Sequence, residues 1–151
     1  MYSVIDIGSN TIRLTVYHVL ENQQIQPVFH EKSVAGLAGY VTSDGRMSSA
    51  GIQKAADVLN HFKEILRRLR LNHIHVFATA SLRNITNTEE AADKIRELTG
   101  LTIQVLSGKE EAVLDYVGAT YLVPMKRGLV LDIGGGSTEL TFFDERGIKK
   151  A

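Results

Sequence analysis

The sequence of 151 residues contains no cysteine, and its basic and acidic residues balance at 17 each. The lack of cysteine excludes disulfides and thiolate metal sites and is compatible with a cytoplasmic protein. Zero formal net charge gives no indication of binding to nucleic acid or to an acidic membrane. No apolar run approaches the roughly 18 residues that a membrane span needs, and no basic leader opens the chain. We therefore expect a cytoplasmic protein whose partners include neither nucleic acid nor a membrane.

The composition and periodicity predict an α/β fold. Hydrophobic residues make up 44% of the chain and charged residues 23%, as in an ordinary globular domain. The pattern through residue 122 predicts the order βββαβαβα, with strands at 2–7, 11–20, 25–33, 73–79 and 102–106. Helices are expected from Ser48 or Ser49 to about Arg70, from Asn87 or Thr88 to Gly100, and from about Lys109 to Leu122, with Pro124 just beyond. The first three strands should form an antiparallel meander with parallel strands beside it, giving a mixed sheet.

The last part of the chain predicts the start of a second, similar unit. Strands are expected at 128–133 and 138–143, joined by a turn, with no helix left to cover them. A two-stranded ribbon alone is marginally stable. We therefore expect one domain over 1–124 and a truncated second domain over 125–151. Alternatively, the last strands pack on a partner, such as a second copy in a homodimer.

The strongest feature of the sequence is a repeated motif. Residues 4–17 read VIDIGSNTIRLTVY and residues 129–143 read LVLDIGGGSTELTFF. In each, an apolar strand ends in Asp-Ile-Gly, turns through small residues and continues as a second strand. Glycine lets a backbone approach an anion closely, and an aspartate at a strand end can bind a hydrated metal ion. One copy alone is equally explained as a glycine-rich hairpin turn, but two copies predict two facing loops that grip a phosphate chain.

Four segments then identify a family resemblance. In this order and spacing, DIGSNT, ATASLRN, SGKEEA and DIGGGSTEL resemble the Ppx/GppA family of exopolyphosphatases and guanosine pentaphosphate phosphohydrolases. The resemblance runs from Asp6 to Leu140. It implies the actin, hexokinase and acetate kinase superfamily, in which two ribonuclease-H-like domains clamp phosphates at their interface. It also implies Mg²⁺ as cofactor, polyphosphate or guanosine pentaphosphate as substrate, and a chain about twice this length or more.

The resemblance assigns roles to individual residues. Glu111 matches the general base that activates the attacking water. The residues that match metal-binding carboxylates, directly or through water, are Asp6, Asp132 and Glu139. The residues that match the phosphate-binding set are Gly8, Ser9, Asn10, Thr11, Arg83, Gly135, Gly136, Ser137 and Thr138.

Simpler explanations exist for several of these residues. Glu110 and Glu111 lie where helix starts favour acidic residues, whatever their function. Glu139 is also explained as an outward strand residue, and Arg83 as a surface arginine that follows a strand. Arg13, on the second strand, faces either the cleft or solvent. The His73-Ile74-His75 segment is better explained as a strand start than as a metal site.

One departure from the family pattern bears on substrate choice. Many family members carry an arginine after the third strand, whereas residues 32–41 here read KSVAGLAGYV. Lys32 is a partial substitute, because an ammonium group lacks the forked geometry of a guanidinium. This departure bears on phosphate-chain affinity.

We weigh three functions on this basis. The first is a hydrolase that releases terminal phosphate by Mg²⁺-assisted attack of water, with Glu111 taking the proton. The second is a nucleotide-dependent kinase or ATPase of the same superfamily, which would need an adenosine pocket outside this chain. The third is a binding module that holds polyphosphate or an alarmone without turnover, or an inactive fragment of such an enzyme.

Overall fold

The computed structural model describes residues 1–123 and 125–151. Within these residues, eight strands form two sheets, and four α-helices and one 3₁₀ turn (Leu37–Tyr40) accompany them. The strands are β1 Tyr2–Ile7, β2 Thr11–Val19, β3 Ile25–Val34, β4 Ile74–Ala78, β5 Gln104–Val105, β6 Gly128–Ile133, β7 Thr138–Asp144 and β8 Gly147–Lys150. The helices are α1 Ser49–Arg68, α2 Ala80–Arg83, α3 Thr88–Thr99 and α4 Gly108–Leu122. The predicted α/β class is confirmed.

The first sheet has the order β3-β2-β1-β4-β5. The β1–β2 and β2–β3 pairs are antiparallel, whereas the β1–β4 and β4–β5 pairs are parallel, so the predicted meander and mixed sheet are confirmed. Because β1 and β4 run in the same direction and Ile7 pairs with Ala78, both strands end at one edge of the sheet. The loop after β1 therefore lies beside the start of α2.

The core of this sheet forms against α1. Apolar residues of α1 recur with helical spacing, and Leu59, Phe62 and Leu66 are completely buried. They pack with alternating residues of β1 and β2, such as Ile5 and Leu14, in one continuous cluster. Ser48 caps α1 because its Oγ accepts a hydrogen bond from the Gly51 N–H at 3.3 Å. Helix α3 packs beside α1 and completes this layer.

The second sheet has the order β6-β7-β8, and α4 packs against β6 and β7. The Thr141 Oγ1 donates to the Ala112 carbonyl at 3.1 Å, and the rings of Tyr116 and Phe143 lie 5.0 Å apart. The prediction of an uncovered two-stranded ribbon is therefore wrong. Helix α4 precedes the sheet in the chain yet covers it, and β8 returns through a turn in which Gly147 has a φ of 100°.

The opposite face of β6 and β7 is apolar and faces solvent. Leu131 pairs with Leu140 and Leu129 with Phe142, and all four side chains are exposed. Ile133, at the end of β6, is 72% exposed. One face of the second sheet thus packs on α4, and the other has no layer over it within the part of the chain that the structure describes.

Several local predictions need adjustment. Helix α2 was not predicted, because one turn carries no periodic signal. Asn87 occupies the predicted N-cap position of α3, but its side chain makes no capping bond and instead bonds the N–H and C=O of Met47 at 2.8 and 3.2 Å. Pro124, expected just beyond α4, lies outside the described residues. Across 1–123 and 125–151, no helix is both long and apolar enough to cross a membrane.

Candidate active site

The two copies of the motif form loops with the same backbone geometry. In the first, the Gly8 N–H donates to the Thr11 carbonyl at 3.1 Å, and in the second the Gly134 N–H donates to the Ser137 carbonyl at 3.0 Å. Each loop joins two antiparallel strands, with Ile7 opposite Ile12 and Ile133 opposite Thr138. The sequence repeat is therefore a structural repeat. Asp6 corresponds to Asp132, and Arg13 corresponds to Glu139.

The two loops touch. A Cβ atom on Gly135 would lie 3.5 Å from the Asn10 Cβ, and one on Gly136 would collide with the Ser9 Oγ. The Asn84 Nδ2 donates to the Gly136 carbonyl at 3.3 Å and fixes the second loop to the residue after α2. Glycine is needed here for close approach rather than for a left-handed backbone, since none of the loop glycines has a positive φ.

Several carbonyl groups of the two loops are committed to the protein. The Ser9 carbonyl accepts from the Ala38 N–H at 2.9 Å, and the Asn10 carbonyl accepts from two further N–H groups. The Gly136 and Ser137 carbonyls accept from Asn84 and Gly134. Within the described residues, the N–H groups of Ser9, Asn10 and Gly136 donate to no acceptor. Uncommitted N–H groups that are close together favour an anion as ligand.

The loops form one wall of a cleft with a volume of about 880 Å³. Ten of the predicted site residues line it: Asp6, Gly8, Ser9, Asn10, Thr11, Glu111, Asp132, Gly135, Gly136 and Ser137. Three predicted residues, Arg83, Thr138 and Glu139, do not line it. Arg83 and Glu139 contact each other, and Arg83 also contacts the cleft residue Glu111. Thr138 is exposed at the start of β7.

The first turn of α4 gives its two adjacent glutamates different positions. Ser107 and Glu110 form a capping box, in which the Ser107 Oγ accepts from the Glu110 N–H at 3.2 Å and Glu110 Oε2 accepts from the Ser107 N–H at 2.8 Å. The backbone N–H and the hydroxyl of Ser107 hold the pKa of the exposed Glu110 below its usual range. Glu111 is 9% exposed and lines the cleft.

Replacing Ser107 with Ala should therefore destabilise the protein. The expected loss in the free energy of unfolding is about 1 kcal/mol, because the N-cap acceptor disappears from the helix that carries Glu111. Chemical denaturation measures this difference. Ser43→Ala, at an exposed loop residue, is the control and should leave the unfolding midpoint unchanged. An equal midpoint for both variants would contradict a stabilising role for the cap.

Three carboxylates converge beside the loops. Glu111, Asp132 and Glu139 each place an oxygen within 4.8 Å of the others. Glu139 is 8% exposed, and its Oε2 is shielded from solvent with no hydrogen-bond partner among the described residues. A buried oxygen without a donor, in a set of hard oxygen ligands, fits a cation such as Mg²⁺. This cluster differs from the predicted metal-binding set in one member, because it contains Glu111 in place of Asp6. Metal binding at any of these residues stays a prediction.

Asp6 lines the same cleft, between opposing charges. Burial raises the pKa of its carboxyl, the facing Arg13 lowers it, and Glu111 and Asp132 raise it. Arg13 pairs with Asp6 on β1 and with Lys32 on β3, and both cations line the cleft. The sequence left open whether Arg13 faces the cleft or solvent, and in the structure it lines the cleft. Lys32, where many family members have arginine, lies beside it.

Arg83 holds two of the three converging carboxylates. Its Nη1 lies 2.5 Å from Glu111 Oε2, and its Nη2 lies 3.2 Å from Glu139 Oε1. The Nη1 also donates to the Leu106 carbonyl at 3.1 Å. In this state the guanidinium therefore binds the predicted base and a predicted metal ligand, whereas the sequence predicts that it binds phosphate.

Asp115 is a cleft residue that the sequence reasoning missed. It lies one helical turn after Glu111 on α4, so the i, i+4 spacing from Glu111 is the sequence signal that would have identified it. Its Oδ2 is shielded from solvent and has no partner among the described residues. Burial raises the pKa of the Asp115 carboxyl from 3.8 to about 6, with further contributions from Asp132, Glu111, Glu139 and Asp6.

This raised pKa predicts a pH-dependent effect of Asp115→Asn. Between pH 4 and 6 the unfolded chain has lost this proton while the folded chain keeps it, so stability falls as pH rises through this range. In metal-free buffer at pH 8, the variant should therefore be about 1 kcal/mol more stable than the wild type, a figure reduced for solvent screening. Denaturant titrations at pH 4 and pH 8 measure the difference, which should vanish at pH 4. An equal effect at both pH values would exclude this titration as the cause.

Three comparisons with known proteins, by family model, by sequence and by structure, agree with one another. The model of the Ppx/GppA phosphatase family matches residues 15–151. The guanosine-5'-triphosphate,3'-diphosphate pyrophosphatase of Vibrio vulnificus (strain YJ016) is 34% identical over 141 residues, which are 93% of this chain and 28% of that protein. The structure of an exopolyphosphatase from Cytophaga hutchinsonii superposes with a TM-score of 0.89 at 28% identity, over 99% of this chain and 48% of that chain. The Aquifex aeolicus member of the Ppx/GppA family superposes with a TM-score of 0.84 at 25% identity, over 99% and 49%. The chain thus spans about half the length of these solved structures.

Proposed function

Because the chain belongs to the Ppx/GppA phosphatase family, we propose that its cleft serves the hydrolysis of a terminal phosphoanhydride bond. The products would be orthophosphate and a substrate shortened by one phosphate. The substrate class is inorganic polyphosphate or guanosine pentaphosphate, which the names of the similar proteins suggest. Family membership itself confirms the resemblance predicted from the four sequence segments.

The observation that carries this proposal is the pair of equivalent loops that meet across the cleft. Their uncommitted N–H groups and the hydroxyls of Ser9, Thr11 and Ser137 suit the oxygens of a phosphate group. Arg13 and Lys32 add positive charge farther along the same cleft, where a second phosphate of a chain would lie. This arrangement favours an extended polyanion over a single small anion.

The carboxylates account for the chemistry. Glu111 is buried, lines the cleft and lies in the first turn of α4, where it can accept a proton from a water molecule that attacks the terminal phosphorus. Asp132 and Glu139 would hold Mg²⁺, and Asp6 would bind it through water. Bound Mg²⁺ would neutralise charge on the phosphoryl oxygens during transfer. The bond from the terminal phosphorus to the bridging oxygen breaks, and the remaining chain keeps that oxygen.

The charge at the cleft agrees with a cation as part of the site. Five carboxyl groups, those of Asp6, Glu111, Asp115, Asp132 and Glu139, face three basic groups, those of Arg13, Lys32 and Arg83. A site with this excess of negative charge would repel a polyphosphate chain. A divalent cation removes the excess, so we propose that substrate binding depends on it.

A binding module without turnover is the second candidate. The observation that favours it is the ion pair between Arg83 and Glu111, because a carboxylate oxygen that accepts from a guanidinium at 2.5 Å is not free to take a proton from water. In this alternative the loops and basic residues bind polyphosphate, and Glu111 serves only to position Arg83.

Orthophosphate release separates the two candidates. The purified chain is mixed with long-chain polyphosphate and Mg²⁺, with free orthophosphate and residual chain length followed over time. Hydrolysis from the chain end predicts immediate orthophosphate, slow shortening and complete inhibition by EDTA. Retention of polyphosphate on the protein with no orthophosphate would support the binding module and contradict the hydrolase. The same assay with guanosine pentaphosphate compares the two substrates.

We further propose that residues 1–124 form one domain and that 125–151 begin a second, with α4 extending from the first to pack on the sheet of the second. The exposed apolar face of β6 and β7 supports this division, because such a face ordinarily packs on another layer. A cytoplasmic location is proposed from the absence of cysteine alone.

A further inference from the structure

Arg83 is held in place from both sides. It is the last residue of α2, a single turn after β4, and the Ser81 Oγ in this turn donates to the Ile7 carbonyl at the end of β1. On the other side, the Thr88 Oγ1 donates to the Leu82 carbonyl at 2.6 Å. The short helix is thus fixed to the strand that precedes the first loop. The fold therefore holds the Arg83 side chain against the converging carboxylates.

The same carboxylate residues suit two different cations. Arg83 contacts one oxygen of Glu111 and one of Glu139, and both residues belong to the set whose oxygens lie within 4.8 Å of one another. A divalent cation such as Mg²⁺ uses one or two carboxylates as direct ligands. Because the guanidinium on Glu111 and Glu139 already places a positive charge at this set, it opposes a second cation there, and the two cations compete.

A phosphate group offers Arg83 an alternative partner nearby. Asn84, the next residue, bonds the Gly136 carbonyl of the second loop, and a Cβ on Gly136 would lie 3.2 Å from the Ala80 Cβ at the start of α2. The second loop therefore lies close to both ends of the helix that carries Arg83. A guanidinium binds phosphate in the same two-pronged manner as it binds carboxylates.

We propose that Arg83 is an internal counter-ion that occupies the carboxylate set until phosphate enters the cleft and draws it away. Release of Glu111 and Glu139 then admits the divalent cation, so that phosphate and cation each strengthen binding of the other. Such coupling is reciprocal by thermodynamic necessity. This inference rests on the proposed function of the same cleft, but it concerns binding and needs no turnover.

Calorimetric titration with Mn²⁺, an oxygen-seeking divalent ion, tests the proposal without substrate. Arg83→Gln should bind Mn²⁺ at least about fivefold more tightly than the wild type, because the carboxylates are freed. Arg46→Gln is the matched control, since Arg46 also forms a 2.5 Å ion pair, with Glu90, away from the cleft. Its Mn²⁺ affinity should equal that of the wild type. Equal or weaker Mn²⁺ binding by Arg83→Gln would overturn the proposal, as would no Mn²⁺ binding by any of the three proteins.

A second titration adds orthophosphate and is corrected by a protein-free run. Phosphate should tighten Mn²⁺ binding by the wild type but not by Arg83→Gln. Equal tightening in both would show that the coupling does not pass through Arg83. Circular dichroism checks that each variant folds. If Arg83→Gln does not fold, Arg83→Lys takes its place, and its Mn²⁺ affinity should change in the same direction by a smaller factor. If these binding results hold while no protein releases orthophosphate, the counter-ion proposal stands and the proposed hydrolysis fails.

Discussion

Replacing Glu111 with Gln should lower the rate of orthophosphate release by about 10²- to 10⁴-fold, the usual contribution of a general base. The amide fills the same space but cannot accept the proton of the attacking water. Glu111 lines the cleft and is 9% exposed, so bulk solvent has little access to its carboxylate and cannot readily take over as base. The rate is measured as orthophosphate released from polyphosphate at saturating Mg²⁺.

The neighbouring glutamate offers a matched control. Glu110 lies in the same helical turn, yet its carboxylate bonds Ser107 instead of facing the cleft. Gln can also serve at this position of a capping box, so Glu110→Gln should keep nearly the full rate. If both variants lost the same activity, or neither lost any, Glu111 would not be the base.

Replacing Gly136 with Ala should lower orthophosphate release by about 10- to 100-fold, because a displacement of about 1 Å in a reacting geometry has effects of this size. The added Cβ would overlap the Ser9 Oγ and lie 3.2 Å from the Cβ atoms of Ser9 and Ala80. The Ser9 hydroxyl can rotate, but these carbon atoms move only if the loops separate. The backbone φ of Gly136 is not positive, so the effect is steric and not conformational.

Gly135→Ala is the control for this steric effect. Its Cβ would lie 3.5 Å from the Asn10 Cβ, which is ordinary van der Waals contact. We expect a clearly smaller loss than in Gly136→Ala, since no atom of the first loop needs to move. Steady-state kinetics on both variants provide the comparison. Equal losses in both would indicate that any side chain in this loop blocks the cleft, whatever its contact with the first loop.

The sequence predicts those parts of the fold that depend on residues close together in the chain. The strand–turn–strand motif is visible because Asp-Ile-Gly and the small residues after it lie within a few positions of each other. The i, i+4 pattern of α1 and the Gly100 that ends α3 are equally local, and Gly100 has the expected left-handed backbone with a φ of 70°. Each of these features needs only neighbouring residues to be read.

The features that the sequence does not reveal depend on distant contacts. Glu111 and Glu139 bind Arg83 through a packing of α2, α4 and β7 that no short segment specifies. Helix α4 was expected in the first domain, yet it packs on the second sheet because Tyr116 meets Phe143 there. Strand β8 has only Ile148 as a large apolar residue, so its alternation is too short to detect. Whether a charged group faces phosphate or another side chain is decided by such packing.

The most direct test of the central claim, that this cleft hydrolyses a terminal phosphoanhydride, is the reaction of polyphosphate with Mg²⁺ in ¹⁸O-labelled water. Mass spectrometry of the products locates the oxygen that water contributes. Our account predicts one labelled oxygen in each released orthophosphate and none in the remaining chain, because water attacks the terminal phosphorus. Absence of orthophosphate, or label at the ends of mid-length fragments from internal cleavage, would contradict it.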